Sequence, residues 1–192
     1  MDVRVVLDTS TLQSLWRGGV FDRLSGIFSR IALPRSVADE TRWSRFITGE
    51  VLVPDVDAHT FLHVQVVPED SLRSLATQLF QARHRSKWKG DAPPTPQVAL
   101  VEGKVRVWID KRMQLSYSIP ELEVVALAKQ IDAVALVDDR KALRAAKDFA
   151  VKTLTTRETI ARLIKAKLVT DAQAVLRRIE ATGYYPTRRL QS

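Results

Sequence analysis

The chain of 192 residues contains no cysteine. Disulfide bonds, zinc–thiolate sites and cysteine nucleophiles are therefore excluded, and the absence agrees with a reducing cytoplasm, where disulfides are rare. Long apolar runs are also missing. No stretch approaches the roughly 18 apolar residues of a membrane-spanning helix, and the apolar run near the N-terminus, Val5–Leu7, is too short for a signal peptide. We therefore expect a cytoplasmic protein with no membrane segment.

Acidic residues are fewer than basic ones. Lysine and arginine number 30 against 22 aspartates and glutamates, which gives a formal net charge of +8 at pH 7. A basic surface attracts polyanions, of which nucleic acid is the commonest, although a basic composition without a specific partner is the simpler alternative. Hydrophobic residues make up 45% of the chain, which is enough for the core of one domain of this length.

Short apolar runs alternate with segments of helical periodicity along most of the chain. Such alternation favours right-handed crossovers and a parallel sheet with helices on both faces. We therefore predict an α/β fold, a three-layer α/β/α arrangement around a central parallel sheet, formed as a single domain by residues 1–192. The predicted strands are 3–7, 31–34, 133–137 and 151–154, and the alternation over 61–67 and 105–109 leaves two further strands open. The predicted helices include 69–83, 121–130, 141–149, 158–167 and 171–182.

Residues 46–116 do not follow this alternation and are predicted to form an insertion or small lobe. Within them, the basic run Arg83–Lys89 and the prolines that follow predict an exposed loop over residues 83–97. Such a loop would grip phosphates while Trp88 stacks on a base. The alternative, in which Trp88 packs back onto the domain, stays open.

Acidic residues stand where predicted strands end and helices begin. In an open parallel sheet these positions meet at one rim, where ligands bind. Carboxylates that converge repel one another unless a cation lies between them, and Mg²⁺ and Mn²⁺ prefer oxygen ligands. Such ions activate water and orient a phosphodiester. We therefore predict a Mg²⁺ or Mn²⁺ site whose metal-binding and catalytic residues are Asp8, Glu40, Glu121 and Asp139.

Each of these acids also has a simpler role that the sequence leaves open. The residues Glu121 and Glu123 are two positions apart, about 200° around a helix axis, so only one of them can point to a common centre. Helical phase does not say which, and the contributions of Glu123 and Asp138 stay open. In its simpler role, Asp8 caps a helix and Glu40 is a surface acid. Glu121 would interact with the helix dipole, and Asp139 would be a turn residue.

The residues around these acids resemble PIN domains. The run Val5–Ser10 is similar to the opening motif of that family, in which an aspartate ends the first strand and a small hydroxyl residue follows. The runs Ile119–Ala128 and Ala135–Lys141 resemble the motifs of one PIN group, DUF3368. The similarity is specific over residues 117–190 and weak over residues 46–116.

The resemblance implies an activity and a set of residues. PIN domains are Mg²⁺- or Mn²⁺-dependent endoribonucleases that act on RNA. In many members the nuclease is the toxin of a toxin–antitoxin pair, which implies an antitoxin protein as partner, and the family commonly forms homodimers. Pro120 stands where the group usually has glycine, a change that a helix start accommodates. By position in the motifs, the four family acids correspond to Asp8, Glu40, Glu121 and Asp139.

Two other functions are weighed against the nuclease. A nucleic-acid-binding or protein-binding module with a catalytically silent site is the main alternative, and the inserted segment and the basic loop motivate it. A phosphotransfer domain also places an aspartate at the end of a strand. Dehalogenase-type phosphotransfer enzymes, however, need a second acid two residues after that aspartate, where this chain has Ser10.

Overall fold

A five-stranded parallel sheet forms the centre of the fold. The computed structural model describes residues 3–48, 54–88, 94–111 and 113–182, and of residues 45–48 it describes the backbone alone. The strands, in chain order, are β1 (Arg4–Leu7), β2 (Arg30–Pro34), β3 (Leu62–Gln65), β4 (Gln97–Val101), β5 (Lys104–Asp110), β6 (Met113–Ser118), β7 (Val134–Leu136) and β8 (Thr153–Leu154). The central sheet has the order β3-β2-β1-β7-β8, and each neighbouring pair is parallel.

Helices cover both faces of this sheet, as predicted for a three-layer α/β/α fold. One group, α1, α6 and α7, packs together, and α4 packs on β1, β2 and β7 with α3 and α5 beside it. The helices are α1 (Thr9–Arg17), α2 (Arg35–Thr48), α3 (Glu69–His84), α4 (Ile119–Gln130), α5 (Arg140–Asp148), α6 (Thr156–Lys165) and α7 (Ala172–Glu180), with 3₁₀ helices at Phe21–Gly26 and Arg85–Lys87. Within the described ranges, no helix combines the length and apolarity that crossing a membrane requires.

The core lies where α4 meets the first strand. Val5, Val6 and Leu7 of β1 are completely buried, as expected for a central parallel strand covered on both faces. Helix α4 is buried at every residue of its middle part, from Leu122 to Ala128. A helix that is apolar on all sides belongs in the interior, so α4 fixes the position of its own first turn relative to the strand ends.

The segment 46–116 supplies elements to two sheets. Strand β3 pairs in parallel with β2 and completes one edge of the central sheet. Strands β4, β5 and β6 form a separate antiparallel sheet of three strands, and α3 packs on it. Val105 and Val107 of β5 and Tyr117 of β6 are buried on the side that faces this helix.

The prediction of an exposed loop over residues 83–97 is wrong for residues 83–88. Helix α3 continues to His84, whose ring packs 4.6 Å from that of Phe80, and the 3₁₀ helix follows it directly. Arg83 donates to Asp148 at 3.1 Å, which holds the end of α3 against α5. Trp88 is partly buried against the core, so its indole packs back onto the domain. The predicted loop residues 89–93 lie outside the described residues.

Candidate active site

The order of the central strands creates a crevice between β1 and β7. From β1 the chain continues to β2 and β3 on one side, whereas β7 continues to β8 on the other side. Ligands in open α/β sheets bind at such a switch point, beyond the carboxyl ends of the strands. Asp8 follows β1 at this place, and its backbone N–H donates to the carbonyl oxygen of Leu136 at the end of β7, at 3.2 Å.

All four predicted acids line one cleft at this crevice. The cleft has a volume of about 210 Å³, and none of the described residues that line it is an arginine or a lysine. Since a water molecule occupies roughly 30 Å³ in the liquid, the cleft has room for a hydrated cation. Its lining residues are Asp8, Thr9, Ser10, Glu40, Ser118, Pro120, Glu121 and Asp139.

Asp8 is the most buried acid of the cleft, with 8% of its surface exposed. It is the N-cap of α1: Oδ1 accepts from the backbone N–H of Thr11 at 2.7 Å, and Oδ2 accepts from the hydroxyl of Ser10 at 2.9 Å. Burial raises the pKa of Asp8 from 3.8 to about 6, because desolvation of the charged form outweighs these hydrogen bonds, and the charge of Asp138 adds to the rise. A cation beside this carboxylate would relieve that cost.

Asp139 and Glu40 also line the cleft. Asp139 is the N-cap of α5, and its Oδ1 accepts from the backbone N–H groups of Lys141 at 2.6 Å and Ala142 at 3.1 Å. Glu40 is exposed on α2, and its Oε2 accepts from the hydroxyl of Thr9 at 2.7 Å. The helix-cap interaction orients the first acid, and a neighbouring hydroxyl orients the second.

Glu121 enters the cleft from the first turn of α4. It forms a capping box with Ser118: the backbone N–H of Ser118 donates to Glu121 Oε2 at 3.2 Å, and the backbone N–H of Glu121 donates to Ser118 Oγ at 3.3 Å. Pro120 lies in the first turn between them, where its fixed φ suits a helix start. Proline in place of the glycine usual in the DUF3368 group therefore does not remove Glu121 from the cleft.

The two acids whose contribution the sequence left open point elsewhere. Asp138 is 2% exposed, and its carboxylate accepts from the backbone N–H of Thr156 at 3.0 Å and from the hydroxyl of the same residue. Glu123 is 7% exposed and accepts from the backbone N–H and the hydroxyl of Ser36, at the start of α2. Neither lines the cleft, and both tie one element of the fold to another.

The donor set of the cleft fits a hard divalent cation. Carboxylate and hydroxyl oxygens suit Mg²⁺ and Mn²⁺, which bind a few protein oxygens and keep several waters. Among the described residues, no three Asp, Glu or His side chains are close enough to hold one ion as they stand. Carboxylates repel one another when no cation lies between them, and here each accepts hydrogen bonds from a helix N-terminus or a hydroxyl group.

Sequence reasoning missed two residues that orient these acids. Thr9 and Ser118 were not predicted as part of the site, yet both line the cleft: the Thr9 hydroxyl donates to Glu40, and the Ser118 backbone N–H donates to the carboxylate of Glu121. For Ser118 a signal exists, since serine followed three residues later by glutamate is the pattern of a capping box. The pairing of Thr9 with Glu40 joins residues 31 positions apart and has no local signal.

One comparison with known proteins bears on the motifs of the second half of the chain. Residues 98–192 match the family model DUF3368, which is described as a PIN domain, and the resemblance to PIN domains is thereby confirmed. Among solved structures, the chain is similar to a PilT N-terminus domain protein, SSO1118, from the hyperthermophilic archaeon Sulfolobus solfataricus P2. The identity is 12%, the TM-score is 0.40, and the alignment covers 83% of this chain and 92% of that chain. Comparison with curated proteins gave no match.

Proposed function

On the premise that residues 98–192 match a PIN domain, a nuclease fold, we propose that this protein is an endoribonuclease that depends on Mg²⁺ or Mn²⁺ and hydrolyses RNA phosphodiesters. The observation that carries the proposal is the placement of four acids on one cleft at the switch point of the parallel sheet. The net charge of +8 supports a polyanionic substrate. A role as the toxin of a toxin–antitoxin pair is part of the proposal.

The proposed roles follow from the position of each side chain. Asp8 and Asp139 flank the crevice and would bind the cation directly, and Glu40 and Glu121 would bind it or position the attacking water. When bound, the divalent ion lowers the pKa of water and stabilises the leaving oxygen. Thr9 holds Glu40, and Ser10 holds Asp8, so that both carboxylates keep their orientation toward the cleft.

Cleavage of a single-stranded RNA tests the proposal. The parent protein is expected to cut it in Mn²⁺ or Mg²⁺ and to stop in EDTA. Asp8→Asn and Asp139→Asn are expected to lower the rate by at least about a hundredfold, since each removes a charged ligand of the cation while an asparagine cap keeps the helix. The matched control is Asp132→Asn, because Asp132 is an exposed aspartate outside the cleft. Equal rates for Asp8→Asn and the parent would disprove the assignment.

The second candidate function is a binding module with a catalytically silent site. It is favoured by one observation: in the described part of the chain no three acids approach closely enough to share an ion as they stand. Calorimetric titration with Mn²⁺ separates the two candidates. Binding that is lost in Asp8→Asn supports the nuclease, whereas no binding at millimolar Mn²⁺ supports the silent module.

A further inference from the structure

The antiparallel sheet has one face that the rest of the described fold does not cover. Along β5, the side chains of Val105 and Val107 point to the core, so the alternation of a strand directs Lys104, Arg106 and Trp108 to the opposite, outer face. The residues of β6 that pair with these three are Ser118, Ser116 and Gln114 in turn. On β5 and β6 the outer face therefore presents two cations, one tryptophan, two hydroxyls and an amide, and β4 adds Val101, Ala99 and Gln97 opposite the same three residues of β5.

A groove of about 800 Å³ runs along this face. The cations Lys104, Arg106 and Lys111 line it together with Trp108. Of the acids near it, Glu102 lies 3.7 Å from Arg106 in an exposed ion pair, and Asp110 accepts from the backbone N–H of Met113 inside the hairpin turn. Val107, Ile109 and Leu115 add apolar atoms to the lining of the groove. Three cations beside one aromatic ring suit a single-stranded polyanion, whose phosphates pair with the charges while a base stacks on the ring.

The outer face ends at the acidic cleft. Lys104 pairs with Ser118, and Ser118 lines the cleft and caps α4 beside Glu121. Paired residues in an antiparallel sheet have Cα atoms about 5 Å apart, and four residues of a strand span about 14 Å. Lys104 therefore lies next to the cleft, and Trp108 lies a few nucleotides' length away along the same face.

We propose that the outer face of β5 and β6 binds single-stranded RNA and leads it into the cleft. Trp108 stacks on a base, and Lys104 and Arg106 contact phosphates on the side toward the cleft. Stacking on aromatic rings tolerates every base, and phosphate contacts carry no sequence information, so this surface positions the strand without selecting a sequence. The proposal rests on the proposed ribonuclease function, and it places the RNA-binding surface on this sheet rather than at Trp88, whose indole packs on the core.

The test measures RNA binding without cleavage. The full chain carrying Asp8→Asn, in EDTA, is titrated with a fluorescein-labelled single-stranded oligoribonucleotide, and binding is followed by anisotropy. Trp108→Ala is expected to weaken binding about tenfold, the typical effect of losing one stacked base, and Trp108→Phe is expected to keep most of the affinity. The double change Lys104→Ala with Arg106→Ala is expected to reduce the slope of log K against log salt by about 0.7 for each lost contact.

A matched control removes two positive charges elsewhere. Lys147 and Lys165 are exposed near the ends of α5 and α6, at the edge of the sheet away from the cleft, and their double alanine variant is expected to keep the parental salt slope. If the outer-face variants bind like this control, the proposal is overturned. Light scattering tests whether the face instead joins two copies of the chain. If the parent is a dimer, and Trp108→Ala is a monomer with unchanged RNA binding, the proposal is overturned in favour of a contact between two copies.

Binding and cleavage separate this inference from the function on which it rests. RNA binding that depends on Trp108, in a protein that never cuts RNA, would refute the nuclease and keep the RNA-binding face. Cleavage by a parent protein whose RNA affinity does not change in Trp108→Ala would refute the RNA-binding face and keep the nuclease.

Discussion

Replacing Asp8 by asparagine is expected to stabilise the metal-free protein while it abolishes cleavage. Burial raises the pKa of Asp8 from 3.8 to about 6, so the charged carboxylate is disfavoured in the folded state. One pKa unit corresponds to about 1.4 kcal/mol, and a shift of about two units therefore lowers the free energy of unfolding by about 3 kcal/mol at neutral pH. Asparagine caps helices as well as aspartate does, so the hydrogen bond from Thr11 is kept and the charge is removed.

The sign of this effect gives it a pH dependence. The pKa of Asp8 is higher in the folded state than in the unfolded state, so the protonated carboxyl favours folding. This contribution to the free energy of unfolding is fully present below about pH 4 and is lost as the pH rises through about 6. The neutral amide does not titrate. The free energy of unfolding of Asp8→Asn minus that of the parent should therefore be small at pH 4 and approach about 3 kcal/mol at pH 8.

Urea unfolding in EDTA at pH 4, 6 and 8 measures this difference. In a second series with Mn²⁺ the difference in the free energy of unfolding should disappear. The ion stabilises the folded parent by binding to it, whereas Asp8→Asn lacks the carboxylate that would bind the ion. A difference that does not change with pH, or an Asp8→Asn variant less stable than the parent at pH 8, would refute the desolvation argument.

Three further predictions concern the neighbouring acids. Glu123→Ala should lower the free energy of unfolding by about 2 kcal/mol in urea, because Ser36 loses its buried acceptor, and the rate per folded molecule should not change. Asp138→Ala should lower the free energy of unfolding by at least as much, since Thr156 loses its hydrogen-bond acceptor, and Asp138→Asn should lower it less. Asp139→Ala should lower the melting temperature through loss of the α5 cap, worth about 1 kcal/mol, whereas Asp139→Asn should keep the melting temperature and lose only cleavage.

The central sheet was predictable because its signal is local. Strand β1 has three consecutive apolar residues, Val5–Leu7, before an acid, and β7 repeats the pattern, so both strands and their common rim follow from sequence. The antiparallel sheet was predicted only in part. Strand β5 alternates clearly, but β4 and β6 gain their structure by pairing with it, and such non-local pairing has no signature within either strand.

The acids show where sequence reasoning about a site stops. Asp138 and Asp139 are adjacent after one strand, and successive residues of an extended chain point to opposite sides, so the sequence predicts that they diverge but not which one meets the cleft. Thr156 decides this, because its backbone N–H and hydroxyl bind Asp138 from α6. For Glu121 and Glu123, helical phase gives no answer, because α4 is buried on nearly all sides and has no apolar stripe to orient it.

Capping a helix and binding a cation are compatible roles for these acids. Asp8, Glu121 and Asp139 lie at the N-termini of α1, α4 and α5, and all three helices begin at the same cleft. The positive end of each helix dipole lowers the cost of holding an anion there, and the backbone N–H groups fix one oxygen of each carboxylate. Carboxylates fixed in this way lose little conformational entropy when a cation binds. The price of that arrangement is the repulsion and desolvation carried by Asp8 in the metal-free state, which is why removing its charge should make the protein more stable and inactive at once.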